Sequence, residues 1–320
     1  MKAVVYRTYG GPDVLEMAEL PQPVPGATEV LVEVGASGLN PVDTYFRSGV
    51  REVDAFPYIP HFDLAGTVVA VGQEVSKWQV GDKVWGTNIK GTSAEFVAVP
   101  EDKLFSLPSY LSAVDGAALA MAFMTAHLAL FARAKLVKGE TVLIFGGAGA
   151  VGHAAIQLAK VHGATVITTA GDDDKAKIAK EAGADHVILY KKQNVTEAVL
   201  DLTKGQGVSV ILDMSVSENL DADLDMIVNG GRIVTIGSPK NNAPTLPWRK
   251  LNMKNAALLG VLLFTAPKAD LDKAGIEISS LFADKKLKTH VGKVFTFEEA
   301  AQAHEALEAK QFNGTIVLTP

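Results

Sequence analysis

The stretch that most constrains this chain is Val142-Leu-Ile-Phe-Gly-Gly-Ala-Gly-Ala-Val-Gly-His-Ala-Ala-Ile-Gln157. An apolar run with strand character meets a glycine cluster, and apolar residues at helical spacing come next. Gly147, Gly149 and Gly152 spell G-x-G-x-x-G at that junction, the context in which the pattern becomes informative. The first glycine permits a tight turn, the second a close backbone approach to a pyrophosphate, the third close packing of helix on strand. A helix opening there offers unpaired N–H groups and a partial positive charge to phosphate. The expectation is a dinucleotide-binding βαβ unit.

Downstream of the motif the same rhythm repeats. Strand patterns at 165–169, 186–190, 208–213 and 232–237 alternate with helical patterns, including 175–182, which Gly183 ends. Strands that are almost wholly apolar belong to a parallel sheet covered on both faces. Before residue 112 the texture differs, with short strands at 30–34, 66–72, 80–86 (two pieces around a Gly-Asp turn) and 94–99. These suggest a small barrel or sandwich. Ser112, with Asp115 three residues on, caps a helix running from Ala117 to Ala134. A further strand at 257–263, helices at 276–283 and 297–307, and a strand at 315–318 close the chain. The domain reading is residues 1–120, a dinucleotide-binding domain at 121–258, and a returning segment at 259–320 that completes the first lobe.

Composition narrows the chemistry. Of 320 residues none is cysteine, which removes disulfides, thiolate nucleophiles and cysteine-held zinc. Net charge is −6 with no basic block, which disfavours nucleic acid as a partner. The opening Met1-Lys-Ala-Val-Val-Tyr6 reads as a strand rather than a signal peptide, and no apolar run reaches the roughly 18–20 residues of a membrane span. A cytoplasmic protein is expected, with no membrane partner.

The nicotinamide cofactor is chosen at the end of the second strand of the unit, where NAD sites usually carry an acid. Here the strand tip is Ala170-Gly171, and Gly171 leaves room for a 2′-phosphate that Lys175 and Tyr190 could hold. Asp172, first of three aspartates, could instead accept ribose hydroxyls and favour NADH, or cap the next helix. NADPH is the preferred reading.

With these residues in view, the chain resembles the quinone oxidoreductase (zeta-crystallin-like) family of the medium-chain dehydrogenase/reductase superfamily. The resemblance spans nearly the whole length: Tyr9 to Glu16, Gly38 to Gly49, Asp63 to Gly66, Val80 to Val84, Phe123 to Ala126, Gly147 to Gln157, Lys175 to Tyr190 and Gly230 to Gly237. It implies an α/β protein with a GroES-like β-rich catalytic domain and a Rossmann doubly wound parallel sheet. It implies that Asn40 and Thr125 contact the nicotinamide end and, with Tyr45 in the substrate pocket, make up the catalytic set. Ala148 to Val151 meet the pyrophosphate; Lys175, Tyr190 and Lys310 serve the phosphates; Gly237, Leu262, Leu263 and Phe264 complete the cofactor contacts. It further implies a homodimer joined through residues 257–263.

The family resemblance also bears on metal. Zinc-dependent members hold the ion with cysteine and histidine; here Asn40 and Phe62 stand at those positions, and no metal site is expected. His61 replaces a glycine usual in the family and reads either as a displaced ligand or acid, or as an ordinary loop residue. Without a Lewis acid, the fitting reaction is hydride delivery to an electron-poor acceptor. The nicotinamide is expected in a cleft between the lobes, with a quinone as acceptor. The alternatives are an enone or enoyl substrate reduced at C=C and, from a different class, an NADPH-binding structural or RNA-binding crystallin-like role.

Overall fold

The computed structural model describes residues 1–238 and 240–320. The chain forms two compact units, Met1–Ala122 with Gly275–Pro320, and Phe123–Ala274. The return to the first unit thus comes after Ala274 rather than after residue 258. Both crossings fall inside helices, which carry no loop composition to mark them.

In the first unit a two-stranded antiparallel ribbon, β1 (Lys2–Val5) and β2 (Glu16–Glu19), precedes the long strand β3 (Glu29–Leu39). A short helix α1 (Pro41–Arg47) is next, then β4 (Asp63–Val71), β5 (Lys83–Gly86), β6 (Phe96–Pro100) and β7 (Leu104–Ser106). The 80–86 stretch is one strand, not two, because Gly81 takes a left-handed φ of 97° and makes Val80-Gly81 part of the turn.

Helix α2 (Ala113–His127) begins as its residues require. The Ser112 hydroxyl accepts from the Asp115 amide at 3.1 Å, and the Asp115 carboxylate accepts from the Ser112 amide, also at 3.1 Å. A wider turn, Leu128–Arg133, extends it. The combined Ala113–Arg133 stretch is, against the sequence expectation, long and apolar enough to cross a membrane, but 78% of its apolar window is buried inside the protein.

The second unit carries β8 (Thr141–Ile144), α3 (Ala150–Val161), β9 (Thr165–Ala170), α4 (Asp173–Glu181), β10 (His186–Leu189), α5 (Val195–Leu202), β11 (Val208–Asp213), α6 (Val216–Met226), β12 (Ile227–Thr235), α7 (Trp248–Met253) and β13 (Ala257–Gly260). Its six strands are all parallel, in the order β10-β9-β8-β11-β12-β13. The order reverses between β8 and β11, and ligands of such sheets bind beyond the strand ends at that reversal. Leu143, Ile167, Ile211, Ile233 and Leu224 are buried together beneath the helices, each contributing roughly 1.5–3 kcal/mol. β13 stops at Gly260, short of the expected 263, and a single 3-10 turn lies beyond it at Leu263–Thr265.

The closing elements are α8 (Lys268–Ala283), of which the sequence pattern showed only the last half, β14 (Val291–Thr296), α9 (Ala300–Glu308) and β15 (Thr315–Thr319). In the first unit's seven-stranded sheet the order is β14-β15-β3-β4-β5-β7, with β6 also on β3. The C-terminal strand thereby lies directly on the strand that leads to Asn40.

Candidate functional site

The glycine turn between β8 and α3 is held from below by β9. The Thr169 hydroxyl accepts from the Gly146 amide at 3.0 Å and the Thr169 carbonyl from the Gly147 amide at 3.1 Å, while the Thr168 hydroxyl donates to the Ile144 carbonyl at 2.6 Å. Neither threonine was singled out from the sequence, and only their position at the tip of an adjacent strand could have flagged them. The turning residue is Gly146, with φ of 70°, one place ahead of the motif's first glycine. Gly147 is needed for packing instead: a Cβ there would lie 2.4 Å from Thr168 Oγ1. At Gly152 a Cβ would lie 2.2 Å from the Gly146 carbonyl oxygen, so the third glycine does set the helix close to the turn.

Helix α3 starts at Ala150, and its N-cap, Gly149, has no side chain to accept from the first turn. α6 likewise has no side-chain cap at Ser215, whereas α4 and α5 do have one. Asp172 accepts from the Lys175 amide at the start of α4, and Asn194 from the Glu197 amide at the start of α5. The first-turn amides of α3, those of Ala150, Val151 and Gly152, are left free for an acceptor beyond the glycine turn. Glycines that admit no Cβ and an uncapped helix start fit a dinucleotide pyrophosphate.

Asp172 is used in capping, which is one of its two sequence readings. Gly171 and Tyr190 come together, since a Cβ on Gly171 would sit 2.9 Å from the Tyr190 hydroxyl. Lys175 Nζ lies 3.6 Å from Asp172 Oδ2 and remains 40% exposed. The tips of β9 and β10 thus gather an exposed tyrosine and lysine around a glycine. Gly237, past β12, accepts through its carbonyl from the Val216 amide at 3.1 Å. Thr125 sits half-buried on α2. Leu263 is buried and Leu262 exposed; Leu262 lines a cavity of about 480 Å³ with Arg133, Thr235, Gly260 and Asp270, to which none of the turn residues contributes. Phe264 is half-buried beside it in sequence. Lys310 belongs to the first unit, exposed just past α9, with a left-handed φ of 52°.

In the first unit a second group of residues converges. Asn40 caps α1, its amide donating to Asp43 Oδ2 at 2.6 Å, and its side-chain Nδ2 donates to Asp63 Oδ2 at 2.8 Å. Asp63 also accepts from Thr87 Oγ1 at 2.5 Å and from the Met121 amide at 3.2 Å. Burial pushes the Asp63 carboxyl up to about 7, opposed by those three hydrogen bonds. Tyr45 lies on the exposed face of α1, 40% accessible. Asp63 and Thr87 as holders of Asn40 could not be read from the sequence, because 23 and 24 residues separate the bonded pairs.

His61 is not an ordinary loop residue. It is fully buried at a left-handed φ of 71°, where glycine would be unstrained. Its Nε2 is 3.0 Å from Nε2 of His304, and its Nδ1 is 2.5 Å from Ser93 Oγ. Among the described residues no group of three or more His, Cys, Asp and Glu side chains is arranged to hold a metal ion. Both ring nitrogens of His61 are engaged, and the Asn40 and Asp63 side chains are spent on each other. This donor set does not fit zinc.

Known families and proteins share the fold of both units. The profile of the zinc-binding dehydrogenase family matches residues 150–279, and that of the alcohol dehydrogenase GroES-like domain residues 26–109. A quinone oxidoreductase of Sus scrofa is 34% identical over 99% of this chain and 97% of its own length. The Escherichia coli quinone oxidoreductase complexed with NADPH superposes with a TM-score of 0.90 at 30% identity, covering 100% of both chains. A structure described as an NAD-dependent alcohol dehydrogenase superposes at 0.92 with 32% identity, again covering 100% of both.

Proposed function

This chain belongs to the quinone oxidoreductase family of the medium-chain dehydrogenase/reductase superfamily, and from that membership we propose that it reduces a quinone with NADPH, without zinc. The observation that carries the proposal is the uncapped start of α3 behind a turn that excludes side chains. When bound there, the dinucleotide supplies a hydride. The chain supplies everything else: amides of Ala150 to Gly152 for the pyrophosphate, and Lys175 and Tyr190 beside Gly171 for a 2′-phosphate.

The employment of Asp172 as a helix cap supports NADPH over NADH, since its Oδ1 already accepts from the Lys175 amide. On the acceptor side, Asn40 is held rigidly by Asp63, and the exposed Tyr45 hydroxyl donates a hydrogen bond to the acceptor oxygen. An acceptor that already draws electrons needs no Lewis acid, which accords with the unsuitable donor set around His61. Pairing of a second copy along the free edge of β13 would give a homodimer.

The test is a panel of quinones and enones, each with NADPH and with NADH. Faster oxidation of NADPH by quinones is expected. Turnover confined to enones would replace quinone reduction by C=C reduction. Tight NADPH binding without turnover of any acceptor would refute the enzymatic reading. Tyr45→Phe is expected to slow reduction of acceptors that need a donated proton, by about tenfold or more; unchanged rates throughout would remove Tyr45 from the reaction.

A further inference from the structure

Helix α1 is pinned at both ends by buried polar groups. At its start Asn40 is tied to Asp63. At its end Arg47 is buried, and its guanidinium makes three contacts: Nε donates to the Gly10 carbonyl at 3.2 Å, Nη1 is 3.1 Å from His304 Nδ1, and Nη2 meets Glu308 at 2.5 Å. His304 continues to His61, and His61 to Ser93 and Ser37, whose hydroxyl is also 2.9 Å from Thr92 Oγ1.

The ring protons of both histidines are determined by the first member of this relay, Arg47. Guanidinium is a donor only. His304 Nδ1 must therefore accept, which puts the His304 proton on Nε2. That proton faces His61 Nε2 at 3.0 Å, which must be a bare lone pair. The His61 proton is left on Nδ1, aimed at Ser93 Oγ. Protonating either ring further would set N–H against N–H or N–H against guanidinium. Burial lowers His61 to about 3 and His304 well below the ordinary histidine range, as neutral rings require.

We infer that His61 and His304 are positioning residues: two neutral imidazoles, each held in one tautomer by Arg47, that lock the end of α1 to α9 and so fix the orientation of Tyr45 toward the acceptor. The left-handed backbone at His61 is the strain this arrangement tolerates to bring an imidazole to His304. The part that concerns Tyr45 rests on the oxidoreductase reading above; the tautomers do not.

Two measurements test this on the full-length protein. Long-range ¹H–¹⁵N spectra of histidine-labelled protein at pH 7 should show the His304 proton on Nε2 and the His61 proton on Nδ1, with His61→Asn and His304→Asn used for assignment. A proton on His304 Nδ1, or either ring as imidazolium, overturns the inference. In kinetics, His304→Leu should raise the acceptor KM and lower kcat/KM by about tenfold, with NADPH affinity unchanged. His304→Asn, whose Oδ1 can still accept from Arg47, should recover much of the loss. Leucine without kinetic effect, or no recovery by asparagine, overturns the positioning role. Should His304→Leu fail to fold, His61→Gly removes the acceptor of the His304 proton at a backbone that suits glycine; a smaller rise in acceptor KM is expected, and no rise overturns the positioning role of His61. If no acceptor turns over even in the parent protein, amide exchange across residues 42–48 reads the anchor directly. Faster exchange in the variant then upholds the lock while the functional reading falls, and unchanged exchange refutes the lock.

Discussion

The two units build their sites in opposite ways. In the parallel-sheet unit the glycine turn proposed to seat the phosphates is one continuous stretch, 146–152, supported by the next strand of the same βαβ repeat. In the β-rich unit the polar groups that hold α1 come from places as far apart as Asn40 and Asp63, or His61 and His304, the latter 243 residues apart. The first design depends on backbone geometry and glycine; the second on buried side chains satisfying one another. Damage to the first should therefore strike binding as well as packing, whereas damage to the second should strike stability first.

The comparison breaks most sharply at Gly152. A side chain there meets the Gly146 carbonyl oxygen at 2.2 Å, so Gly152→Val should weaken NADPH binding by at least about a hundredfold, near 3 kcal/mol. Fluorescence titration would measure it, and near-normal affinity would mean that the turn does not seat the pyrophosphate. In the other unit Asp63→Ala removes one carboxylate and strands three donors. A loss of about 2 kcal/mol in urea unfolding is expected, with a smaller effect on NADPH affinity than that of Gly152→Val.

The parallel-sheet unit has one buried acidic pair that crosses this division. Burial and the neighbouring Asp213 push the Asp223 carboxyl up to about 9. The folded state therefore holds a proton that the unfolded chain releases near pH 4, and this unit should lose stability as pH rises from about 4 towards 9. Asp223→Asn keeps a donor toward Asp213 without the titration; at pH 8 it should gain about 1 kcal/mol and flatten the pH dependence. Equal slopes in parent and variant would show that the pair is not the origin. The smallest effect is expected at Lys175→Ala, an exposed contact: about threefold weaker NADPH and unaltered NADH. An equal loss for both cofactors would place Lys175 elsewhere than at a 2′-phosphate.

Much of the second unit is legible in the amino-acid sequence, for a physical reason. Parallel strands buried on both faces must be apolar throughout, helices over them must show a 3.6-residue period, and a helix start bound to phosphate must be free of side chains; each is a local rule written in consecutive residues. The Ser112–Asp115 cap was readable on the same grounds. What consecutive residues could not show is which glycine turns and which merely packs, because Gly146 and Gly147 differ in φ and in their distance to Thr168, not in chemistry.

Composition and motif alone determined a two-unit α/β protein with a dinucleotide turn and no cysteine-held metal. Only the tertiary structure decided which partners Asp63, His61, His304 and Arg47 meet. Their roles depend on burial and on partners brought in by distant strands and helices, and a polar side chain removed from water is defined by the one donor or acceptor it meets there.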